Sequence, residues 1–126
     1  MSKAPARDQA LAALYAADLR GGEPDLAGLS ARAARYVTGT WAERARLDAA
    51  IAAAATGWRL ERMPVVDRNV LRLALFELRR GDTPVGVVVS EAVNLAKRFS
   101  TERSGAFVNG VLSKLIEVAD AAPAGS

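Results

Sequence analysis

The chain has 126 residues, enough for one hydrophobic core and a single domain over 1–126, and its 51% hydrophobic and 25% charged residues are the balance of a folded globular protein. It contains no His and no Cys, which excludes imidazole bases, thiolate nucleophiles, disulfides and zinc centres of the usual type, so a Ser-His-Asp or Cys-His hydrolase is ruled out and neither metal nor cofactor is expected. The net charge of +3 is too small to argue for a nucleic-acid partner by itself.

Twenty-seven alanines against three Phe, two Tyr and two Trp favour helix over sheet. No unbroken apolar run, the all-aliphatic 49–55 included, exceeds eight residues, far short of the about 20 that span a bilayer. The opening MSKAPARDQA lacks the apolar stretch of a secretory signal. A cytoplasmic binding protein without membrane contact is therefore expected. Fourteen of the seventeen bases are Arg, and they cluster between Arg59 and Arg80 and again between Lys97 and Lys114.

Pro5 suits the first turn of a helix whose apolar stripe is Leu11, Leu14, Tyr15 and Leu19, ending before Gly21-Gly22. Asp25 can cap a short turn through Leu26 and Leu29, and Ser30 can cap the next helix. From Ala33 to Ala55 the 3.6-residue spacing runs unbroken and predicts one long helix stopped by Gly57. Gly39 inside it costs about 1 kcal/mol relative to Ala, which marks it for close helix contact. Residues 58–62 form a short turn closed by Met63-Pro64.

Asp67 is placed to N-cap a helix running through Leu78, with Arg68 and Asn69 part of the same initiation. That helix is apolar over so much of its circumference that it must be central. Residues 85–99 carry four valines in five positions, yet no second strand exists to pair with them. Val85, Val88, Val89, Ala92, Val93, Ala96 and Phe99 keep the helical period, so helix is predicted. Ser104 then caps a last helix whose face is Phe107, Val108, Val111, Leu112 and Leu115. Within it Asn109 is expected to be buried and hydrogen-bonded to a neighbouring backbone, with Gly110 admitting another helix. The fold class is all-α, with solvated ends at about 1–4 and 120–126.

The segments VDRNVLRLALFEL (66–78) and VSEAVNLAKRFSTERSGAFVNGVL (89–112) resemble the second half of the NusB family of bacterial transcription antitermination proteins. RDQALAALY (7–15) resembles that family's first helix, and the likeness extends over residues 7–117. It implies a NusB-like fold of two small packed helical bundles without enzymatic activity. It also implies partnership with NusE, a small-subunit ribosomal protein, binding of boxA-type RNA, and attachment to the RNA polymerase elongation complex in support of ribosomal RNA transcription. Family members include monomers and homodimers, and the apolar face of the first helix suits either. Two other functions stay open: a protein-interaction scaffold of the same fold with lost or weak RNA binding, and an RNA-binding accessory module of a ribosomal RNA methyltransferase.

The resemblance directs attention to two groups of residues. Where the family carries an arginine run before its first helix, this chain has only Lys3 and Arg7, so RNA contact through the arm is thin. Lys97, Arg98 and Arg103 could share one groove and add phosphate contacts, although the helix dipole alone favours the first two. For the partner protein the resemblance singles out Phe76, Glu77 and Arg80, with an i,i+3 pair between Glu77 and Arg80 as the plain alternative. Phe99 and Phe107 could stack on bases but also fit a core.

Overall fold

The computed structural model describes residues 4–121, and side chains through residue 119. Six α-helices account for most of these residues: α1 Ala6–Arg20, α2 Ala31–Ala42, α3 Arg44–Ala54, α4 Val65–Arg80, α5 Val85–Phe99 and α6 Glu102–Ala121, with a single 3-10 turn at Leu60–Arg62. No strand occurs among the described residues, and the Val-rich 85–89 segment is helical. Lys3 and nearly all of the two predicted solvated ends lie outside the described residues.

Helix α4 packs against every other helix. Helices α1 and α2 pair on one side of it, while α3, α5 and α6 associate on the other, giving the two bundles. Residues Val70 to Phe76 are all buried, so α4 is the shared core element. The expected core residues Val70, Leu73, Ala74, Val111 and Leu112 are buried, whereas Phe107 is half-buried.

Several local expectations are corrected. The predicted long helix breaks at Glu43, whose φ of −99° and ψ of 11° leave the helical basin. There Arg44 donates to the Trp41 carbonyl at 3.1 Å and its guanidinium lies 3.7 Å from the Trp41 ring centroid, holding the corner closed. Helix α4 starts at Val65 behind Pro64, so Asp67 is not its cap: it sits in the first turn with its side chain inward. Pro64, at φ −52° and ψ 140°, sets the chain entry without a side-chain cap. Thr101 takes the role expected of Ser104, its Oγ1 accepting from the Ser104 N–H at 3.0 Å.

Asn109 is exposed, because the buried stripe of α6 runs through Ser104, Val108, Val111 and Leu112 and position 109 lies a hundred degrees from it. A Cβ at Gly110 would meet open space, so no other helix uses the missing side chain to approach there. On α1 the inward residues are Ala10, Leu11, Leu14 and Ala17, while Tyr15 and Leu19 face solvent. Two expectations hold in detail. Ser30 Oγ accepts from the Ala33 N–H at 3.1 Å at the head of α2, and a Cβ at Gly39 would overlap the Phe76 ring, so the missing side chain is what lets α2 meet α4.

Candidate RNA and partner interface

Four polar residues of α4, Arg68, Asn69, Arg72 and Glu77, form two ionic groups, both reaching α1. In the first, Arg68 donates to Asp18 at 2.6 and 2.9 Å, and Arg72 donates to Asp48 at 2.6 and 2.9 Å and to Asp18 at 3.0 Å. Asn69 completes it, donating to Asp18 and to the Val65 carbonyl, both at 2.8 Å, and accepting from Arg72 at 3.0 Å. Burial opposes ionisation of Asp18, but the hydrogen bonds from Arg68 and Asn69 and the two positive charges together hold its carboxyl below the ordinary value. Burial likewise works against the Arg72 charge, and Asp48 and Asp18 more than offset it. Arg68 and Asn69, expected as helix-initiation residues, are therefore the tie between α4 and α1.

In the second group Arg7 clasps Glu77, with Nε 2.9 Å from Oε2 and a terminal nitrogen 2.8 Å from Oε1. The Glu77 side chain is only 4% exposed. Its hydrogen bond raises the Arg7 pKa against the opposing effect of burial. One residue further, Asp8 takes a bidentate contact from Arg98 of α5 at 2.8 and 3.0 Å. Through these two residues the first turn of α1 is fastened to α4 and to α5 at once.

The predicted site residues are thus distributed as follows. Arg7 is engaged by Glu77 rather than free in an arm. Phe76 and Glu77 lie beneath the surface, Phe76 against Gly39, and of the three partner candidates only Arg80 is exposed. Arg80 pairs with Asp82 at 3.0 Å, not with Glu77, and its guanidinium lies 5.7 Å from the Phe76 ring centroid.

Lys97, Arg98 and Arg103 are all exposed at the α5–α6 junction but do not converge on one groove. Arg98 turns toward α1 and lies over Phe99, which is 49% exposed. Lys97 lays its stem across Gly105 and reaches Glu102 at 3.8 Å. Arg103, in the first turn of α6, makes no ion pair among the described residues. It lines a cleft of about 280 Å³ with Trp58, Asp67, Ser104 and Phe107. In that cleft Trp58 and Phe107 meet edge to face, with ring centroids 5.4 Å apart.

Sequence reading missed two features of this surface. Asp67 is 3% exposed with Oδ1 lacking a partner, and burial pushes its carboxyl pKa up against the weaker opposing effect of the Ser104 hydroxyl. Arg32 and Arg35 of α2 flank a smaller cleft of about 190 Å³ with Tyr36, Glu77 and Arg80. Their three-residue spacing beside a buried tyrosine was the available signal.

The NusB family model matches residues 4–117. The chain belongs to the NusB family. A transcription antitermination protein NusB from Anaeromyxobacter dehalogenans strain 2CP-1 is 46% identical over 123 residues, covering 87% of each chain. Among solved structures, a T. maritima NusB aligns with a TM-score of 0.77 at 34% identity, covering 93% of both chains. A chain from a crystal structure of the antitermination factors NusB and NusE in complex with double-stranded RNA aligns with a TM-score of 0.78 at 30% identity, covering 90% of this chain and 94% of the other. These likenesses extend to the NusB fold itself, six helices in two bundles. Among the described residues of this NusB family member, no helix is long and apolar enough to cross a membrane.

Proposed function

We propose that the chain is a cytoplasmic transcription antitermination factor that binds boxA-type RNA together with NusE and joins the RNA polymerase elongation complex, supporting ribosomal RNA transcription without catalysing a reaction. The observation that carries this reading is the likeness, over nine-tenths of the chain, to the NusB of the NusE–RNA complex. RNA meets the α5–α6 junction, where Lys97, Arg98 and Arg103 are exposed and the Trp58–Phe107 pair lies beside Arg103. Arg7 contributes by fixing α1 through Glu77, and Lys3 adds a charge in the arm. NusE meets the face at the end of α4, with Arg80 as the exposed contact over Phe76 and Glu77.

The engagement of Arg7 by Glu77 favours the scaffold alternative in one respect, since it removes a phosphate contact from an already thin arm. Both readings are separated by titrating boxA-type RNA with and without NusE across salt. Weak binding alone and a clear gain with NusE are expected, because a partner adds contacts on one continuous surface. Arg103→Glu should weaken the RNA complex across sequences and lower the salt slope by roughly 0.7 per lost contact. Arg80→Glu should weaken NusE docking and affect RNA only through it. It is a cleaner probe than Glu77→Lys, which would set a buried lysine against Arg7. If Arg103→Glu changes neither affinity nor slope while Arg80→Glu abolishes NusE contact, the scaffold reading replaces direct RNA contact through this junction.

A further inference from the structure

The cleft at the α5–α6 junction holds a buried acceptor with nothing to accept. Asp67 lines it, is almost wholly buried, and has no hydrogen-bond partner at Oδ1. The Ser104 hydroxyl favours its charged form, but that hydroxyl is shared: it donates to the Ser100 Oγ at 2.9 Å and accepts from the Thr101 hydroxyl at 3.2 Å. Arg103 stands in the same cleft, exposed, without an ion pair among the described residues. A buried acceptor left open is destabilising, so it fits a donor arriving from outside. The other wall is aromatic. Trp58 is half exposed and meets Phe107 at an interplanar angle of 62°.

We propose that this cleft receives one unstacked guanine of the RNA, its ring against Trp58 and its N1–H and N2 amino group donating to Asp67; the inference rests on the reading that RNA meets this junction. Sequence-selective proteins take single-stranded bases in this way, with an aromatic face for the ring and a polar group for its edge. A phosphate is excluded from the interior, because it brings negative charge to a carboxylate and has no use for the rings. A protein lysine would answer Asp67 but leave Trp58 and Arg103 unanswered. Guanine answers all three. Its two donors stand side by side on one edge, and its O6 and N7 acceptors on the next suit the Arg103 fork. Uracil instead turns two carbonyls toward the carboxylate. The cleft volume, about 280 Å³, admits one base and not a base pair.

The test titrates oligouridine heptamers onto the full chain with NusE present, the central base being uracil, guanine, inosine, cytosine or adenine. The expected result is a preference of roughly tenfold for guanine over uracil, the scale of one well-formed base contact. Inosine, which lacks the N2 amino group, should recover only part of it. Asp67→Asn and Asp67→Ala both remove the buried charge and should melt no lower than the wild type. Asp67→Asn should shrink the guanine-to-uracil ratio and Asp67→Ala should bring it close to one. Trp58→Ala should weaken every heptamer about tenfold, the scale of one lost stack, and keep the ratio. A wild-type preference for cytosine or adenine, no preference at all, or a guanine preference that survives Asp67→Ala overturns the proposal. So does a loss of NusE affinity in Asp67→Ala with the base preference intact, in favour of a protein contact. Failure of the wild type and NusE to bind any heptamer or boxA-type RNA would remove the RNA reading itself, a result visible before any variant is compared.

Discussion

Asp67 and Asp18 are both acids turned toward α4's surroundings, and their environments act in opposite senses. Asp18 is surrounded by donors and lowered, so it stabilises the fold above its ordinary pKa of 3.8, and that contribution is lost as pH falls through its folded value. Asp67 is buried with one oxygen unpartnered and raised. The folded state therefore binds its proton more readily, and the charged form penalises the fold at neutral pH, with relief on acidification toward 3.8. Asp67→Asn should thus stabilise the protein by about 1 kcal/mol at pH 7, the scale of an unsatisfied buried group, and by nothing measurable at pH 3. Urea unfolding at the two pH values checks it, and a loss of stability at pH 7 would show that the carboxylate has a partner. Neither environment could be read locally. Asp67 stands where an N-cap is expected, three residues after a proline, and its inward direction follows from the packing of α6. Arg7 and Glu77 are 70 positions apart, and no sequence pattern links them.

At the scale of elements, most of the fold was legible because apolar spacing and punctuation agree. Pro5, Ser30, Pro64, Pro84, Gly21 and Gly81 stand at or beside helix ends, and the glycines at 21 and 81 have the left-handed conformation of C-terminal caps. The break at Glu43 was not legible, since the apolar period carries on in phase through Leu47 and Ile51 while the corner depends on Arg44 and Trp41. Two of the glycines inside helices, Gly39 and Gly110, separate by what faces them. Gly39→Ala must move α2 off the Phe76 ring and should cost about 1–3 kcal/mol, the range for overpacking. Gly110→Ala meets open space and should stabilise by about 0.5–1 kcal/mol through helix propensity. Thermal unfolding of the pair reads both signs, and equal effects would contradict the α2–α4 contact.

For the molecule as a whole, the candidate site was legible only in part. The resemblance gave the fold and the two surfaces, and Lys97, Arg98 and Arg103 are exposed as expected. The pairing of Arg7 with Glu77, of Asp8 with Arg98, and the free forks of Arg32 and Arg35 depend on where six helices come to rest. The ties that hold α1 should govern acid stability. Asp18→Asn is expected to cost about 2 kcal/mol at pH 7, as charged hydrogen bonds to Arg68 and Arg72 are lost, and the gap to wild type should close below pH 3.8. A gap independent of pH would mean that Asp18 acts by shape alone. The same ties have a consequence for synthesis. A chain emerging from the ribosome amino end first presents Arg7, Asp8 and Asp18 long before Arg68, Glu77 and Arg98 exist. Until α4 is made, α1 and α2 have a small apolar face, unpaired charges and nothing central to dock on. The first half of the polypeptide must therefore wait, unfolded or only transiently helical, for its own middle, and structure arrives in one late step once α5 and α6 are in reach as well.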